Sequence, residues 1–385
     1  MQQTITLLTM GLLLGLSAAL AAGQAAQQGS EPQPSPPAGT SQAGSKALFE
    51  EIHVVKKPKQ QYGYRGMNGD FLRMKDGSIL FCYTEGGEQG GIMAVRSSDG
   101  GKTWAPPWVL VPQPRPPARG YYCHPSLLRV QNDEILLTYI YSTYPATPYY
   151  AKVFFRRSAD EGQTWTEQFL VTPYPGYTLV HNDKLLSLKD GRIIAMAEHK
   201  EYLPSTEDHS GYVGMSFYSD DNGHSWYPSK NKVDLCRTHG IEVQEPDAAE
   251  LKDGRLLMFA RTYSGHPVRA YSSDRGETWS EGELIKELEM LSGGMPTLRR
   301  IPRTGDLLFI WNSEASEGRR CALTAIISQD EGETFSHKRF IARDPDDDFG
   351  YQCIEFIGDD LALLAYHKRD GLYVARIGID WFYGE

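Results

Sequence analysis

EVQEPDAAELKDGRLLMFARTYSGHPVRAYSSDRGETW, residues Glu242–Trp279, holds a structural unit and a set of chemical groups in one stretch. LKDGRLLMFAR reads as an Asp-Gly turn leading into an apolar strand, and VRAYSSDRGETW as a second strand that runs into another turn. In that second turn Ser272, Asp274, Gly276, Thr278 and Trp279 fall at S-x-D-x-G-x-T-W spacing. The spacing puts a short carboxylate where turn N–H groups need an acceptor and a glycine where φ must be positive. It also puts an indole where it can pack beneath the hairpin.

The same octapeptide, an Asp box, recurs as SSDGGKTW with Asp99, SADEGQTW with Asp160, SDDNGHSW read with Asp220, and SQDEGETF with Asp330, where Phe335 replaces the tryptophan. A period of roughly 55 to 60 residues marks an architecture of stacked copies of one supersecondary unit. A second repeat interleaves with the first: LRMKDGSILFCY, LLRVQNDEILLTY, LLSLKDGRIIAMA, AELKDGRLLMFAR, LRRIPRTGDLLFIW and IEFIGDDLALLAY. Each is an apolar strand, a turn of Asp, Gly or Asn, and a second apolar strand, the inner hairpin of a four-stranded blade. These hairpins predict an all-β fold, a six-bladed β-propeller with four-stranded antiparallel blades. The last hairpin is followed by GLYVARIGIDWFYGE and lacks an Asp box. The early apolar stretch LFEEIHVV, starting at Leu48, is expected to supply its missing outer strand and close the ring.

The chain has 385 residues, and the uninterrupted repeat assigns residues 46–385 to one propeller. Hydrophobic content of 40%, with 38 glycines and 23 prolines, fits a β-protein with many turns. A net charge of −10 argues against nucleic acid or an anionic membrane as partner, since both attract basic surfaces. An anionic small ligand then requires a local cluster of arginines. Residues 1–22, apolar from Ile5 and ending near Ala19-Leu20-Ala21, read as a signal peptide, although no Lys or Arg precedes the apolar run. Residues 23–45, rich in Pro, Gln and Ser, read as a disordered linker. The mature protein is thus expected to be secreted or periplasmic, with no membrane contact beyond the signal segment. Five cysteines without a C-x-x-C pair, and histidines without H-E-x-x-H spacing, suggest buried thiols and no metal or other cofactor.

From about Gln60 onward the chain resembles the sialidase superfamily of BNR-repeat glycosyl hydrolases. In that family a glutamate precedes the inner hairpin of a middle blade and an arginine ends its second strand; QEPDAAELKDGRLLMFAR matches these with Glu245 and Arg261. A later arginine stands before an Asp-box strand, which GRRCALTAIISQDEGETF places at Arg320, with Arg319 as its neighbour. The family tyrosine opens the last hairpin, at Tyr351 in FGYQCIEFIGDDLALLAY. The first arginine matches Arg65 in YRGMNGDFLRMKDG, with Arg73 as competitor, although the Arg-Ile-Pro wording is absent. The general acid of the family is an aspartate, whereas YTEGGEQGGIMAVRSSDG holds only Glu85 and Glu88. Glu88 takes that place by position.

The resemblance implies a secreted exo-α-sialidase, a monomer acting on sialylated or other acidic glycans by retaining hydrolysis. A sialoside carries a carboxylate at its anomeric carbon, so an anionic nucleophile is repelled; a tyrosine backed by a glutamate arrives as a neutral phenol and gives up its proton only as it attacks. Tyr351 and Glu245 form that pair, Glu88 is the acid, and Arg65, Arg261 and Arg320 hold the carboxylate. Two other readings stand beside it: a hydrolase or lyase acting on uronic-acid-containing polysaccharide, and a glycan-binding propeller without catalysis. His124, His181, His199 and His266 are candidates for the pocket lining, and His181-Asn182-Asp183 for a further substrate contact. DPDDDF at Asp344–Phe349 is a candidate calcium loop or a solvated turn, and Tyr141, Tyr144, Tyr149 and Tyr150 a candidate sugar-stacking loop.

Overall fold

A computed structural model describes residues 47–57, 68–86, 90–115, 118–144, 150–171, 176–201, 211–291 and 293–384. The expected signal peptide and linker, Arg65, Glu88 and Tyr149 lie outside the described residues. Lys46–Glu385 forms one compact unit. Its strands are short and mostly paired as antiparallel hairpins, and among the described residues two short helices, Cys236–His239 and Ile379–Tyr383, interrupt them. Among the described residues no helix is long and apolar enough to cross a membrane.

The protein is all-β with a propeller arrangement. The first strands of successive sheets meet in a circuit: Gly350–Ile357 touches Gly69–Arg73, which touches Tyr121–Arg129. On the other side Gln244–Glu250 touches Thr297–Arg300, which touches Gly350–Ile357. Second strands are buried on both faces because a neighbouring sheet covers each side. Leu256–Arg261, LLMFAR, is buried at every position, which is why these strands read as unbroken apolar runs. Phe71, Phe81 and Val95 of one sheet pack on Cys353, Leu363 and Val374 of the next, and each fully buried large side chain contributes about 1.5–3 kcal/mol.

The expectation of six separate four-stranded blades needs correction. Four sheets are four-stranded blades, and the strands between Tyr121 and Pro228 form one nine-stranded sheet. The cause is a single parallel pair, Tyr177 with Ala151, supported by the Ala151 N–H donating to the Gly176 carbonyl at 3.3 Å. Gly176 stands at φ 126°, and a Cβ there would lie 2.6 Å from the Lys200 carbonyl, so glycine admits the contact. One pair of this kind leaves no period in a sequence. The ring closes through the N-terminal strand: Phe49–Lys56 pairs antiparallel with Gly371–Gly378.

In each Asp box the Asp side chain accepts from the box serine hydroxyl and from the N–H four residues on. In the first, Asp99 accepts from the Ser97 hydroxyl at 2.8 Å, the Thr103 N–H at 2.9 Å and the Thr103 hydroxyl at 2.6 Å, and the Trp104 indole donates to the Gly101 carbonyl at 3.2 Å. In SDDNGHSW these contacts belong to Asp221, not Asp220: Ser219 and the Ser225 N–H donate to Asp221, each at 2.8 Å. Asp220 instead pairs with Arg192 at 2.7 Å. The S-x-D-x-G-x-T-W spacing itself selects Asp221, so the reading at Asp220 was one residue out of register. The box glycine has a second task besides its positive φ. At Gly332 a Cβ would lie 2.7 Å from Leu257 in the neighbouring sheet, and at Gly223 2.8 Å from Leu136.

The axis is crossed by buried polar side chains that join first strands. Asp70 accepts from the Leu127 N–H at 2.8 Å, Asp183 from the Ile354 N–H at 3.2 Å, and Asp247 from the Leu298 N–H at 2.9 Å. Arg299 donates to Asp247 at 2.9 Å and also pairs with Asp183, and Lys184 lies 3.0 Å from Asp247. Burial raises Asp183 to about 6, against the pull of Arg299. Four of the five cysteines are buried and all are free thiols.

Candidate active site

At one end of the axis, first strands carry residues in the left-handed region: His124 at φ 55°, Glu245 at 48° and Tyr351 at 50°. At His124, Glu245 and Tyr351 the pairing register shifts, between Cys123 and Ser126, between Gln244 and Asp247, and between Gly350 and Cys353. A bulge of this kind re-aims a side chain that regular pleating would bury between sheets. The strain costs of order 1–3 kcal/mol at each residue and clusters where function has a use for it.

Glu245, Tyr351, Arg261 and Arg320 come together there from three different sheets. The Tyr351 hydroxyl donates to Glu245 Oε1 at 3.4 Å, and Arg261 Nη1 lies 2.8 Å from Glu245 Oε2. The Arg320 guanidinium stands over the Tyr351 ring, 5.1 Å from its centroid. Burial alone would raise the Glu245 carboxyl; Arg261, His181 and Arg320 outweigh it and hold the group at about 2. Glu245 is therefore an ionised acceptor at neutral pH. Burial opposes the charge on Arg320, but Tyr351, Glu245 and Asp348 keep it protonated, and the Arg320 N–H is held by Asp348 at 3.1 Å.

Arg319 does not enter this group, since it binds Glu317 at 2.9 Å and the Pro345 carbonyl on the rim. Arg73 is exposed at the end of its strand, and Glu85 pairs with Lys57 at 2.6 Å.

Histidines crowd the tyrosine. His124 meets the Tyr351 ring edge-on at 5.4 Å, His181 lies parallel to it at 6.3 Å, and His367 stands at 6.1 Å. His199 instead bonds Thr178 at 2.8 Å, and burial lowers it to about 4; His266 contacts the Leu288 carbonyl. Asn182 and Asp183, expected as substrate contacts, are scaffold. Asn182 donates to the carbonyls of Gly69 at 3.0 Å and Tyr351 at 3.1 Å, and Asp183 is held by Arg299. Tyr141 accepts from the Gly120 N–H at 2.9 Å, which ties it to the start of the paired strand Tyr121–Arg129. The Asp344–Phe349 carboxylates accept backbone N–H groups, Asp347 from Arg369 at 2.8 Å. Among the described residues no group of three or more His, Cys, Asp or Glu side chains is placed to hold a metal ion.

His367 and Glu198 are the residues that sequence reasoning missed. Both lie within apolar second strands, where a polar, titratable residue next to Ala or Tyr is the signal.

Residues 122–356 match the BNR repeat-like domain family, a span that includes Glu245, Arg261, Arg320 and Tyr351. The chain belongs to this family. A sialidase of Micromonospora viridifaciens is 24% identical over 82% of this BNR-repeat chain and 50% of its own length. The chain thus spans about half the length of that relative. Among solved structures, a protein of unknown function from Dyadobacter fermentans superposes with TM-score 0.65 at 18% identity, covering 86% of this chain and 99% of its own. A Streptococcus pneumoniae sialidase gives TM-score 0.62 at 15% identity, over 85% and 70% of the two chains. At these identities the structural likeness is one of fold.

Proposed function

We propose that this BNR-repeat protein is a secreted or periplasmic exo-α-sialidase, a retaining glycoside hydrolase that acts as a monomer on terminal sialic acid of glycoconjugates. The observation that carries the reading is the Tyr351 hydroxyl 3.4 Å from an ionised, buried Glu245 that is itself paired with Arg261. A neutral phenol beside a carboxylate base suits an anomeric carbon that bears a negative charge, and tyrosine-nucleophile sialidases are a known departure from the paired-carboxylate rule. Sialidase relatives support the same substrate.

Tyr351 Oη bonds to the anomeric carbon as the glycosidic C–O bond breaks with its electron pair. The phenol proton passes to Glu245, and Glu88 protonates the departing oxygen. Water then displaces Tyr351 at the same carbon, giving its proton to Glu88, and the phenolate takes its proton back from Glu245. Two inversions give net retention. Arg261 and Arg320, with Arg65, hold the sugar carboxylate, and forked guanidinium donors fix its plane.

The test is release of fluorophore from an α-linked fluorogenic sialoside. Wild type turns over, and Tyr351→Phe loses roughly 10³-fold or more in kcat with its melting temperature kept, because only the nucleophilic oxygen is removed. An inactive wild type would sink the sialidase reading, and fluorogenic uronosides are the next substrates to offer.

A further inference from the structure

Glu198 has no part in the reaction written above, yet its carboxylate is the link between two residues at the Tyr351 pocket. It lies in the strand Ile193–Lys200, on the sheet next to that of Glu245, and its side chain is 4% exposed. Its two oxygens have different partners. Oε2 accepts the backbone N–H of Glu245 at 2.8 Å, and Oε1 lies 3.2 Å from Nε2 of His181. Glu245 is the residue at φ 48° whose bulge turns its side chain to Tyr351, so the first bond fastens the strained backbone that aims the base.

The second bond decides a proton. A carboxylate only accepts, so Nε2 of His181 must carry the hydrogen, and in the neutral imidazole Nδ1 is then a lone-pair acceptor. Nδ1 is buried without a hydrogen-bond partner among the described residues. The ring lies parallel to that of Tyr351, with His124 edge-on 4.4 Å from it. The titratable groups facing or acting with the ring are Glu198, Glu245, Tyr351 and His124; Arg261 stands against Glu245, and Arg320 and His367 against Tyr351.

We propose that Glu198 is a positioning residue for the Tyr351–Glu245 pair: one oxygen holds the Glu245 bulge, and the other fixes His181 in its Nε2–H tautomer. The catalytic consequence rests on the sialidase reading; the tautomer does not.

Glu198→Gln separates the two functions. The Glu245 N–H can only donate, so the amide oxygen of Gln must stay on it, which turns the amide N–H group to His181. Nε2 then has to accept, and the hydrogen moves to Nδ1. Long-range ¹H–¹⁵N correlation of the imidazoles at about pH 8 reads this directly, with His181 assigned by the signals missing from His181→Gln. Wild type and Glu198→Asp are expected to show the Nε2–H pattern, and Glu198→Gln the Nδ1–H pattern. On the fluorogenic sialoside, Glu198→Gln is expected to lose about 10- to 100-fold in kcat with KM within threefold, and Glu198→Asp to recover part of it, the range seen for residues that orient others. An unchanged tautomer in Glu198→Gln overturns the proposal. So does a switched tautomer with wild-type kcat. If wild type itself is inactive, the sialidase reading fails, while the imidazole spectra still pass or fail the tautomer.

Discussion

The Asp-box carboxylates and the carboxylates around the axis are the same chemical group under opposite rules. Asp99, Asp160, Asp221, Asp274 and Asp330 sit near the surface in repeated turns, and hydrogen bonds from their own turn hold them below the ordinary carboxylate range. Glu245 is buried, occurs once, and is ionised by guanidinium groups contributed from other parts of the fold. A local device can be copied five times because each copy carries its own partners. A device assembled across sheets cannot be copied, and it is where this propeller departs from its own repeat.

That difference predicts unequal sensitivity to substitution. Arg261→Met leaves the Glu245 charge buried without its closest partner, and breaking a buried pair costs about 3–5 kcal/mol. Activity on the sialoside should be lost as well. The double variant Arg261→Met/Glu245→Gln removes the orphaned charge, so denaturant unfolding should show most of the stability restored while activity stays absent. If the single variant is as stable as wild type, the buried pair is not the element that separates the two regions.

The Asp-box side breaks differently. Gly332→Ala meets both a φ of 93° and a Leu257 methyl at 2.7 Å. Overpacking of this kind costs about 1–3 kcal/mol, with roughly 1 kcal/mol more for the left-handed backbone. Thermal unfolding should show that loss with kcat on the sialoside unchanged, since the neighbours of Gly332 are Leu257, Phe309, Arg269 and Ser328, none of them in the Tyr351 group. A change in kcat without a change in stability would contradict the division.

Legibility followed the same line. Turn chemistry repeats within eight residues, so the Asp boxes and hairpins could be read directly, and the N-terminal strand was found by counting the outer strand that was missing. Glu245 and Arg261 lie on paired strands of one hairpin, so the family resemblance could be matched to them within one short stretch. The residues that escaped act between sheets. The Tyr177–Ala151 pair joins two hairpins through one parallel bridge, and Glu198 reaches Glu245 from the neighbouring sheet. Asn182 and Asp183 looked like pocket residues because they precede a hairpin, but their partners lie at Gly69, Tyr351 and Arg299, more than 100 positions away. No spacing rule connects such residues. Only closing the ring does.

Glu245, held down by guanidinium groups, shares the pH sign of the Asp boxes, but burial reverses that sign for a carboxylate without so close a cation. Asp-box groups are depressed in the folded state, so their contribution is present above the unfolded carboxylate range and is lost as pH falls through it. Glu355 is the contrary case. It is half-buried on the same strand as Tyr351, and burial together with Asp183 raises it to about 7 against Arg299 and Arg73. Between the unfolded value near about 4.3 and the folded value, the native state binds the extra proton, so stability falls as pH rises through that window and is flat above it. Calorimetric melting temperatures between pH 5 and pH 8 should decline for wild type as the pH approaches 7, by a few degrees at most because the group is partly solvated. Glu355→Gln should reduce that decline and leave the loss at acid pH, which belongs to the Asp boxes, in place. An identical decline in the variant would mean that Glu355 is already ionised near the axis, and that Arg299 and Arg73 control it as Arg261 controls Glu245.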